Sequence, residues 1–320
     1  MIRNSLTSVE LCAGAGGQAL GLEAAGFCHE ALVEIDSHCC NTLRQNRPEW
    51  NVIEQDLSRF DGRPYAGVDL LAGGLPCPPF SKAGKQLGPL DERNLFPTAL
   101  RLIEEIRPRA IMFENVRGFL DDVFSDFREN LRSHIESHGY VVDWRLLHAS
   151  EFGVPQLRPR VVIVALLPED FRYFRWPEGG LVKAPTVGET LFSLMGSRGW
   201  PGVQEWKVKA NQIAPTVVGG SKKHGGPDLG PTRARKAWRE LGVDGLTIGN
   251  EPPGPDHEGL PKLTVPMVAR LQGFPEDWVF SGRKTPAYRQ VGNAFPPPVA
   301  KAVAERIALA FKAHRLVQVA

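Results

Sequence analysis

Cysteines and long apolar runs are both scarce in this sequence. Its 320 residues contain five cysteines, Cys12, Cys28, Cys39, Cys40 and Cys77, an odd number with no CxxC pair. We therefore expect neither a disulfide framework nor a metal site, and reduced thiols fit a cytoplasmic protein. No run of about 18 apolar residues predicts a membrane span. The N-terminus also lacks the apolar core of a signal peptide.

The charge of the chain is close to neutral but unevenly spread. The formal net charge is +2, yet the stretch 183–239 contains ten Lys or Arg and three Asp or Glu. That stretch therefore carries +7 and the remainder −5. A basic segment on a mildly acidic body indicates a polyanionic partner, although a solvated charged loop would have the same composition.

Short apolar runs alternate with helical patterns over the first 165 residues. Strands are predicted over 8–14, 30–36, 51–56, 68–74, 110–116, 140–150 and 160–167. Helices are predicted over 18–27, 38–47, 94–108 and 124–139. This alternation is typical of an α/β fold with a mostly parallel sheet. The last two strands have no helix between them, which favours an antiparallel pair at the sheet edge.

Regular patterns fade after residue 168 and return near residue 264. The stretches 214–235 and 250–261 are rich in Pro and Gly and are predicted as loops, whereas 264–274 and 296–316 are predicted as helices. We therefore predict three parts: a catalytic α/β domain over 1–180, an irregular domain over 181–265, and C-terminal helices over 266–320 that return to the first domain.

Three successive predicted strands end in residues that suit a nucleoside ligand. The first runs into a glycine-rich turn with Gly14, Gly16 and Gly17, and the next two end at Glu34 and Asp56. Glycines let the backbone approach a ligand at a helix N-terminus, and an acid about 20 residues later can bind a ribose hydroxyl. Tight turns without a ligand, or a dinucleotide dehydrogenase, would explain the glycines alone.

The fourth predicted strand ends in the segment Gly73–Ser81, which reads GGLPCPPFS. Its prolines fix φ and remove N–H donors, so Cys77 is held on a stiff loop at the same edge of the sheet. A thiol is mostly protonated near neutral pH, and a nearby cation would make it nucleophilic. A buried structural cysteine is the alternative, and it is the expected role of the other four.

Charged residues accompany two further strands. Glu114 lies near the end of the fifth predicted strand, and Arg158 and Arg160 come just before the last one. The arginines could bind a phosphate or favour the Cys77 thiolate. An acid satisfied at a strand end and ordinary surface arginines are the competing interpretations.

Taken together and in order, these segments resemble the DNA (cytosine-5) methyltransferase family. The resemblance runs from residue 8 to about 300, with a gap over the basic segment, which is the variable target recognition region in that family. It is carried by ELCAGAGGQALGLEAAGF, GGLPCPPFSKAG, DERNLF, FENV, FGVPQLRPR, ARLQGFP and RQVGNAFPPP. Two positions depart from the family pattern: Cys12 where a Phe is usual, and Pro78 where a Gln is common.

The resemblance implies an S-adenosylmethionine-dependent, Rossmann-like mixed α/β sheet with a smaller irregular target-recognition domain. It implies methyl transfer to C5 of a flipped-out cytosine through a covalent bond between Cys77 and C6. The implied catalytic residues are Cys77, Glu114, Arg158 and Arg160. The implied contacts to S-adenosylmethionine are Cys12, Ala13, Gly14, Gly16, Gly17, Glu34, Ile35, Asp56, Leu57, Pro76, Leu95, Asn293 and Ala294.

The family also implies double-stranded DNA as the partner. A base hidden in a duplex must be flipped out, which requires a grip on the backbone. Candidate DNA contacts are Ser81, Gln156, Lys207, Lys209, Thr216, Lys222, Lys223, Arg233 and Arg235. The size of the chain resembles a bacterial restriction–modification methylase, acting as a monomer beside a companion restriction endonuclease.

Two related functions share these motifs. An RNA cytosine-5 methyltransferase, for example one acting on tRNA, would have the same catalytic residues, and the long basic segment favours duplex DNA over it. A catalytically inactive nucleic-acid binding relative would not need Cys77, Glu114 or Arg158. The base sequence recognised by the protein is not predicted.

Overall fold

A computed structural model describes residues 5–76, 94–220 and 226–319. Of the predicted site residues, Cys77, Ser81, Lys222 and Lys223 lie outside these ranges. The chain divides into two units. Unit 1 consists of Met1–Leu147, Pro159–Glu178 and Val299–Ala320, and unit 2 of His148–Arg158 and Gly179–Pro298.

A seven-stranded sheet forms the centre of unit 1 within the described residues. Its strands are β1 (Leu6–Leu11), β2 (Phe27–Glu34), β3 (Val52–Glu54), β4 (Leu70–Gly74), β5 (Ala110–Val116), β6 (Val141–His148) and β7 (Pro159–Leu166). The strand order is β3-β2-β1-β4-β5-β7-β6. The first five strands in this order, β3, β2, β1, β4 and β5, pair with their neighbours in parallel. This arrangement confirms the predicted α/β class. The antiparallel partner of β5 is β7, which lies inside the sheet and leaves β6 at the edge.

Helices follow the strands and continue through unit 2. They are α1 (Gly17–Ala24), α2 (Ser37–Asn46), α3 (Phe96–Ile106), α4 (Ser125–Ser137), α5 (Pro168–Phe171), α6 (Val187–Gly196), α7 (Val203–Lys209), α8 (Thr232–Glu240), α9 (Val265–Leu271), α10 (Lys284–Asn293) and α11 (Pro297–Val319). In the described part of the chain, none of them is long and apolar enough to cross a membrane.

Apolar side chains at helical spacing attach the helices of unit 1 to its sheet. On α3, Leu102, Ile103 and Ile106 are fully buried in one core together with Leu131 and Ile135 of α4. This spacing of three to four residues places the apolar side chains on one face of each helix, where their burial stabilises the packing. The outward faces of α3 and α4 remain available to polar residues.

The prediction of an irregular stretch between residues 168 and 266 was wrong in part, because helices α5, α6, α7 and α8 lie within it. Helix α6 begins with a capping box: the N–H of Thr186 donates to Glu189 Oε2 at 2.7 Å, and the N–H of Glu189 donates to Thr186 Oγ1 at 3.2 Å. This T-x-x-E signal was present in the sequence but was hidden by the density of Pro and Gly around it. The stretch 250–261 contains neither helix nor strand, as predicted.

The predicted domain boundaries and the observed units divide the C-terminal region differently. Residues 266–298 group with unit 2, whereas Val299–Ala320 group with unit 1. Helix α11 buries Val299, Val303, Ile307 and Phe311 as the predicted amphipathic pattern requires.

Candidate active site

The glycine turn after β1 has the backbone geometry that its sequence indicates. Gly14 and Gly16 have φ values of +56° and +88°, and Gly16 caps the N-terminus of α1. Positive φ is accessible to glycine at little cost, so the chain can reverse sharply and open the helix with its N–H groups forward. Cys12 also has a positive φ, +54°, which is uncommon for a residue with a Cβ.

Glu34 organises the backbone at this turn. One of its carboxylate oxygens accepts the N–H of Gly14, and the other accepts the N–H groups of Ile35 and Asp36, each at 2.8 Å. The Glu34 residue is 9% exposed, whereas Ile35 is 65% exposed. A buried, well-bonded acid therefore adjoins an exposed apolar side chain at the carboxyl end of β2.

The end of β3 presents another acid to solvent. Asp56 is exposed and accepts hydrogen bonds from the N–H and the hydroxyl of Ser58, both at 2.8 Å. These bonds lower the pKa of the Asp56 carboxyl. The next residue, Leu57, has its side chain in the core of unit 1, so any contact it makes with a ligand uses its backbone.

Two titratable groups near the turn favour their neutral forms. Burial raises the pKa of Glu10 well above its usual value, and the nearby Glu34 charge raises it further. Burial likewise raises the pKa of the Cys12 thiol, with added effects of Glu34, Glu10 and Asp56. The raised pKa favours the protonated thiol at Cys12, which makes it a poor nucleophile. Glu10 was not singled out from the sequence, although it is an acid inside an apolar strand.

Glu114 and Arg160 form a buried ion pair in unit 1. Arg160 Nε lies 2.6 Å from Glu114 Oε1, and the two side chains are 12% and 7% exposed. The antiparallel register places Glu114 opposite Val162 and Arg160 opposite Val116, so the two are diagonal neighbours on one face of the sheet.

The same carboxylate adjoins the start of the segment Gly73–Ser81. Gly74 is the register partner of Glu114, and a Cβ built on Gly74 would lie 3.7 Å from Glu114 Oε2. Pro76 is half-buried at the end of the described part of this segment, and Leu95 is half-buried where the chain resumes. Glu114 thus lies beside the strand end that leads to Cys77.

Arg158 occupies a different environment from Arg160, inside unit 2. It is 1% exposed, and its guanidinium donates to the carbonyl oxygens of Val217 at 2.7 Å, Gly292 at 2.9 Å and Ala294 at 3.0 Å. A charge buried in this way is stabilised by the carbonyls that surround it and holds those segments together. This geometry favours a positioning role for Arg158 over contact with the target base.

Gln156 belongs to the same buried network. Its amide nitrogen donates to Gln272 Oε1 at 2.8 Å and to the Leu271 carbonyl at 3.1 Å, and its oxygen accepts the Val217 N–H at 2.8 Å. The predicted DNA contact of Gln156 is corrected here, because its side chain is fully buried and bonded within unit 2. Gln272, which the sequence analysis did not single out, completes the network by donating to the Val291 carbonyl at 2.7 Å.

The end of α10 packs closely against the segment that contains Thr216. A Cβ built on Gly292 would overlap the Cα of Gly219, so only two glycines permit this approach. Asn293 is exposed and donates to the Gly220 carbonyl at 3.2 Å, and Ala294 is half-buried. The hydroxyl of Thr216 donates to the Leu157 carbonyl.

Four of the basic residues predicted to contact DNA lie on two helices of unit 2. On α7, Lys209 is exposed and Lys207 places its Nζ 4.8 Å from the centre of the Phe192 ring. On α8, Arg233 is exposed and Arg235 is half-buried, while Trp238 anchors the helix in the interior. These helices offer cations to solvent on a fixed scaffold.

Comparison with known proteins agrees with this arrangement. The family model for C-5 cytosine-specific DNA methylases matches residues 6–309. The Type II methyltransferase M.NaeI of Lentzea aerocolonigenes is 56% identical over 309 residues, covering 95% of this chain and 75% of that protein. The Type II methyltransferase M.NgoMIV of Neisseria gonorrhoeae is 54% identical over 310 residues, covering 96% of this chain and 98% of that protein.

A solved structure agrees at the level of fold. The structure of Spodoptera frugiperda DNMT2 matches with a TM-score of 0.64 and 19% identity, covering 96% of this chain and 100% of that one. The chain belongs to the C-5 cytosine-specific DNA methylases and is a DNA cytosine-5 methyltransferase of the Type II restriction–modification kind.

Proposed function

We propose that this enzyme transfers the methyl group of S-adenosylmethionine to C5 of one cytosine within a specific double-stranded DNA sequence, using Cys77 as nucleophile. The observation that carries the proposal is the buried Glu114–Arg160 pair, 2.6 Å apart, beside the strand that leads to Cys77. We further propose that the enzyme acts as a monomer in the cytoplasm and protects DNA from a companion restriction endonuclease.

The carboxyl ends of β1, β2 and β3 fit an adenosyl cofactor. Positive φ at Gly14 and Gly16 allows close approach of the backbone, and the exposed side chains of Ile35 and Asp56 offer an apolar surface and an acceptor. Glu34 would bind the ribose, and Asp56 the adenine amino group. The bound cofactor supplies an electrophilic methyl group on its sulfonium. We also propose that Asn293 and Ala294 contact S-adenosylmethionine.

The chemistry assigned to this chain begins with Cys77. Its thiolate adds to C6 of cytosine, an S–C6 bond forms, and electron density moves to C5, which would take the methyl group as the bond from that methyl to the cofactor sulfur breaks and leaves a neutral thioether. Glu114 holds N3 and the exocyclic amine, so the ring accepts electrons as the thiolate attacks. A base then removes the proton from C5, the C5–C6 double bond returns, and the thiolate leaves.

The positive charge of Arg160 supports both the Glu114 carboxylate and the Cys77 thiolate. Its guanidinium pairs with the Glu114 carboxylate and places a cation beside the register partner of Gly74, three residues before Cys77 in the sequence. A cation near a thiol favours the thiolate. We therefore assign Arg160 to the active site, and Arg158 to the network that holds the Thr216 and Asn293 segments in place.

Recognition of DNA is proposed for unit 2. Lys207, Lys209, Arg233 and Arg235 are candidates for phosphate contacts, and Thr216 for a contact near the target. Because the alignments with M.NaeI and M.NgoMIV cover 95% and 96% of the chain at 56% and 54% overall identity, we propose that the enzyme methylates the same sequence as these two relatives.

Bisulfite sequencing of host DNA tests the proposal. The chain, M.NaeI and M.NgoMIV are each expressed in a host that lacks cytosine-5 methylation, with Cys77→Ser as the inactive control. We expect protected cytosines at one short sequence, common to all three enzymes and absent from the control. A different protected sequence would contradict the shared specificity alone. Uniform conversion with folded protein, together with methylation of tRNA in vitro, would overturn DNA as the substrate.

A further inference from the structure

Glu104, His134 and His138 form a cluster on the outer surface of unit 1, separate from the residues assigned to catalysis. Glu104 lies on α3, His134 on α4, and His138 immediately after the end of α4. One ligand atom from each lies within 4.8 Å of the others. The apolar faces of both helices are buried in the core, so the cluster lies on their outward side.

Two distances in the cluster, from each histidine to the Glu104 carboxylate, match those between ligand atoms of a metal site. His134 Nε2 and His138 Nε2 lie 3.2 Å and 3.4 Å from the same oxygen of Glu104. In a tetrahedral zinc site with metal–ligand bonds of about 2.0–2.1 Å, neighbouring ligand atoms are about 3.3 Å apart. Two histidines four residues apart near one helix end, with a carboxylate from the preceding helix, make a common zinc ligand set.

A hydrogen bond to the backbone orients one of the rings. His138 Nδ1 lies 2.8 Å from the His134 carbonyl oxygen, which can only accept, so Nδ1 carries the proton. The other ring nitrogen, Nε2, then faces the Glu104 carboxylate at 3.4 Å. A backbone partner on the opposite ring nitrogen is the usual support of a histidine ligand.

We propose that Glu104, His134 and His138 bind one divalent transition-metal ion of the zinc type. The side chains are 48%, 41% and 32% exposed, which leaves water to complete the tetrahedron. The ion links α3 to α4 across 30 residues of sequence and stabilises unit 1 without taking part in methyl transfer. The scarcity and spacing of the cysteines predict no metal site, but cysteine spacing is uninformative about a site built from histidine and glutamate.

Isothermal titration of the chelator-treated protein with Zn²⁺ alone tests this proposal, and Co²⁺ provides a visible absorption signature of tetrahedral coordination. The variants are His134→Ala, His138→Ala and Glu104→Gln, with His148→Ala as the matched control because His148 is an exposed histidine outside the cluster. We expect one Zn²⁺ per chain, an affinity about tenfold or more lower in the three cluster variants, and no change in the control.

Because cysteine thiolates are general ligands for Zn²⁺, the comparison between variants and not the stoichiometry alone decides the outcome. Equal affinity and an unchanged Co²⁺ spectrum in His134→Ala and His138→Ala would overturn the site. We expect Zn²⁺ to raise the melting temperature of the wild type and of His148→Ala. The same rise in both Glu104→Gln and His138→Ala would also overturn the proposed metal site.

Discussion

Arg160 Nε lies 2.6 Å from Glu114 Oε1, and these two charged side chains are buried against each other beside the strand that leads to Cys77. A buried pair of this kind costs desolvation energy, and removal of one partner leaves an uncompensated charge. The pair therefore sets the orientation of the acid that we assign to the target cytosine.

Replacing Glu114 with Gln keeps the shape of the side chain but removes its charge. We expect kcat to fall about 10²–10⁴-fold, because the group that shares a proton with the base is lost. Methyl transfer from labelled cofactor measures this, with Glu129→Gln on the exposed face of α4 as the control. Unchanged kcat in Glu114→Gln would remove Glu114 from the mechanism.

Replacing Cys77 with Ser tests the nucleophile separately from the cofactor. We expect methyl transfer to be abolished while calorimetry shows nearly unchanged binding of S-adenosylmethionine, because a hydroxyl is not ionised where a thiol can be. Cys28→Ser, at an exposed thiol, is the control. Loss of cofactor binding in Cys77→Ser would indicate that Cys77 is structural.

Replacing Gly292 with Ala is expected to destabilise unit 2. The added Cβ would overlap the Cα of Gly219, and relief of the overlap must move the end of α10 away from the Thr216 segment. We expect the free energy of unfolding to fall by about 1–3 kcal/mol in urea titrations. Gly254→Ala, where a Cβ meets nothing within 4 Å, should be neutral. Equal free energies of unfolding for Gly292→Ala and Gly254→Ala would argue against the close packing of Gly292 on Gly219.

The stability of unit 1 should depend on pH through His29. Burial lowers its pKa from 6.5 to about 4, and its ring nitrogens lie 2.9 Å from Ser8 Oγ and 3.1 Å from the Ala19 carbonyl. Because the unfolded chain takes up the proton first, stability present above pH 6.5 is lost as the pH falls toward 4. The full effect is at most about 3 kcal/mol.

Urea titrations of the wild type and His29→Asn across this pH range isolate the effect of His29 from that of other groups. We expect the difference in unfolding free energy between the two proteins to shrink as the pH falls. In His38→Asn, which changes an exposed histidine, the free energy of unfolding should change with pH in the same way as in the wild type. A difference independent of pH would contradict the assigned cause.

Contacts between residues far apart in the sequence were the part of the site that could not be predicted from the sequence. Arg158 and Arg160 are two positions apart and were predicted to act together, yet Arg160 pairs with Glu114 on the sheet while Arg158 bonds to carbonyls in unit 2. Strand β7 begins between them at Pro159, so the chain leaves one unit and enters the other at that point. Residues two positions apart lie on the same face only when both belong to one strand, and Arg158 precedes β7.

The sequence by itself determined the elements of the sheet, the glycine turn, and the acids at the ends of β2 and β3, because these depend on local periodicity and backbone freedom. Its ordered motifs also identified the family. Only the tertiary structure decided that β7 enters the sheet antiparallel to β5, that Gln156 and Leu57 are buried, and that Glu104 meets two histidines. Those contacts join distant segments, and their partners are selected by packing and desolvation, which no local pattern encodes.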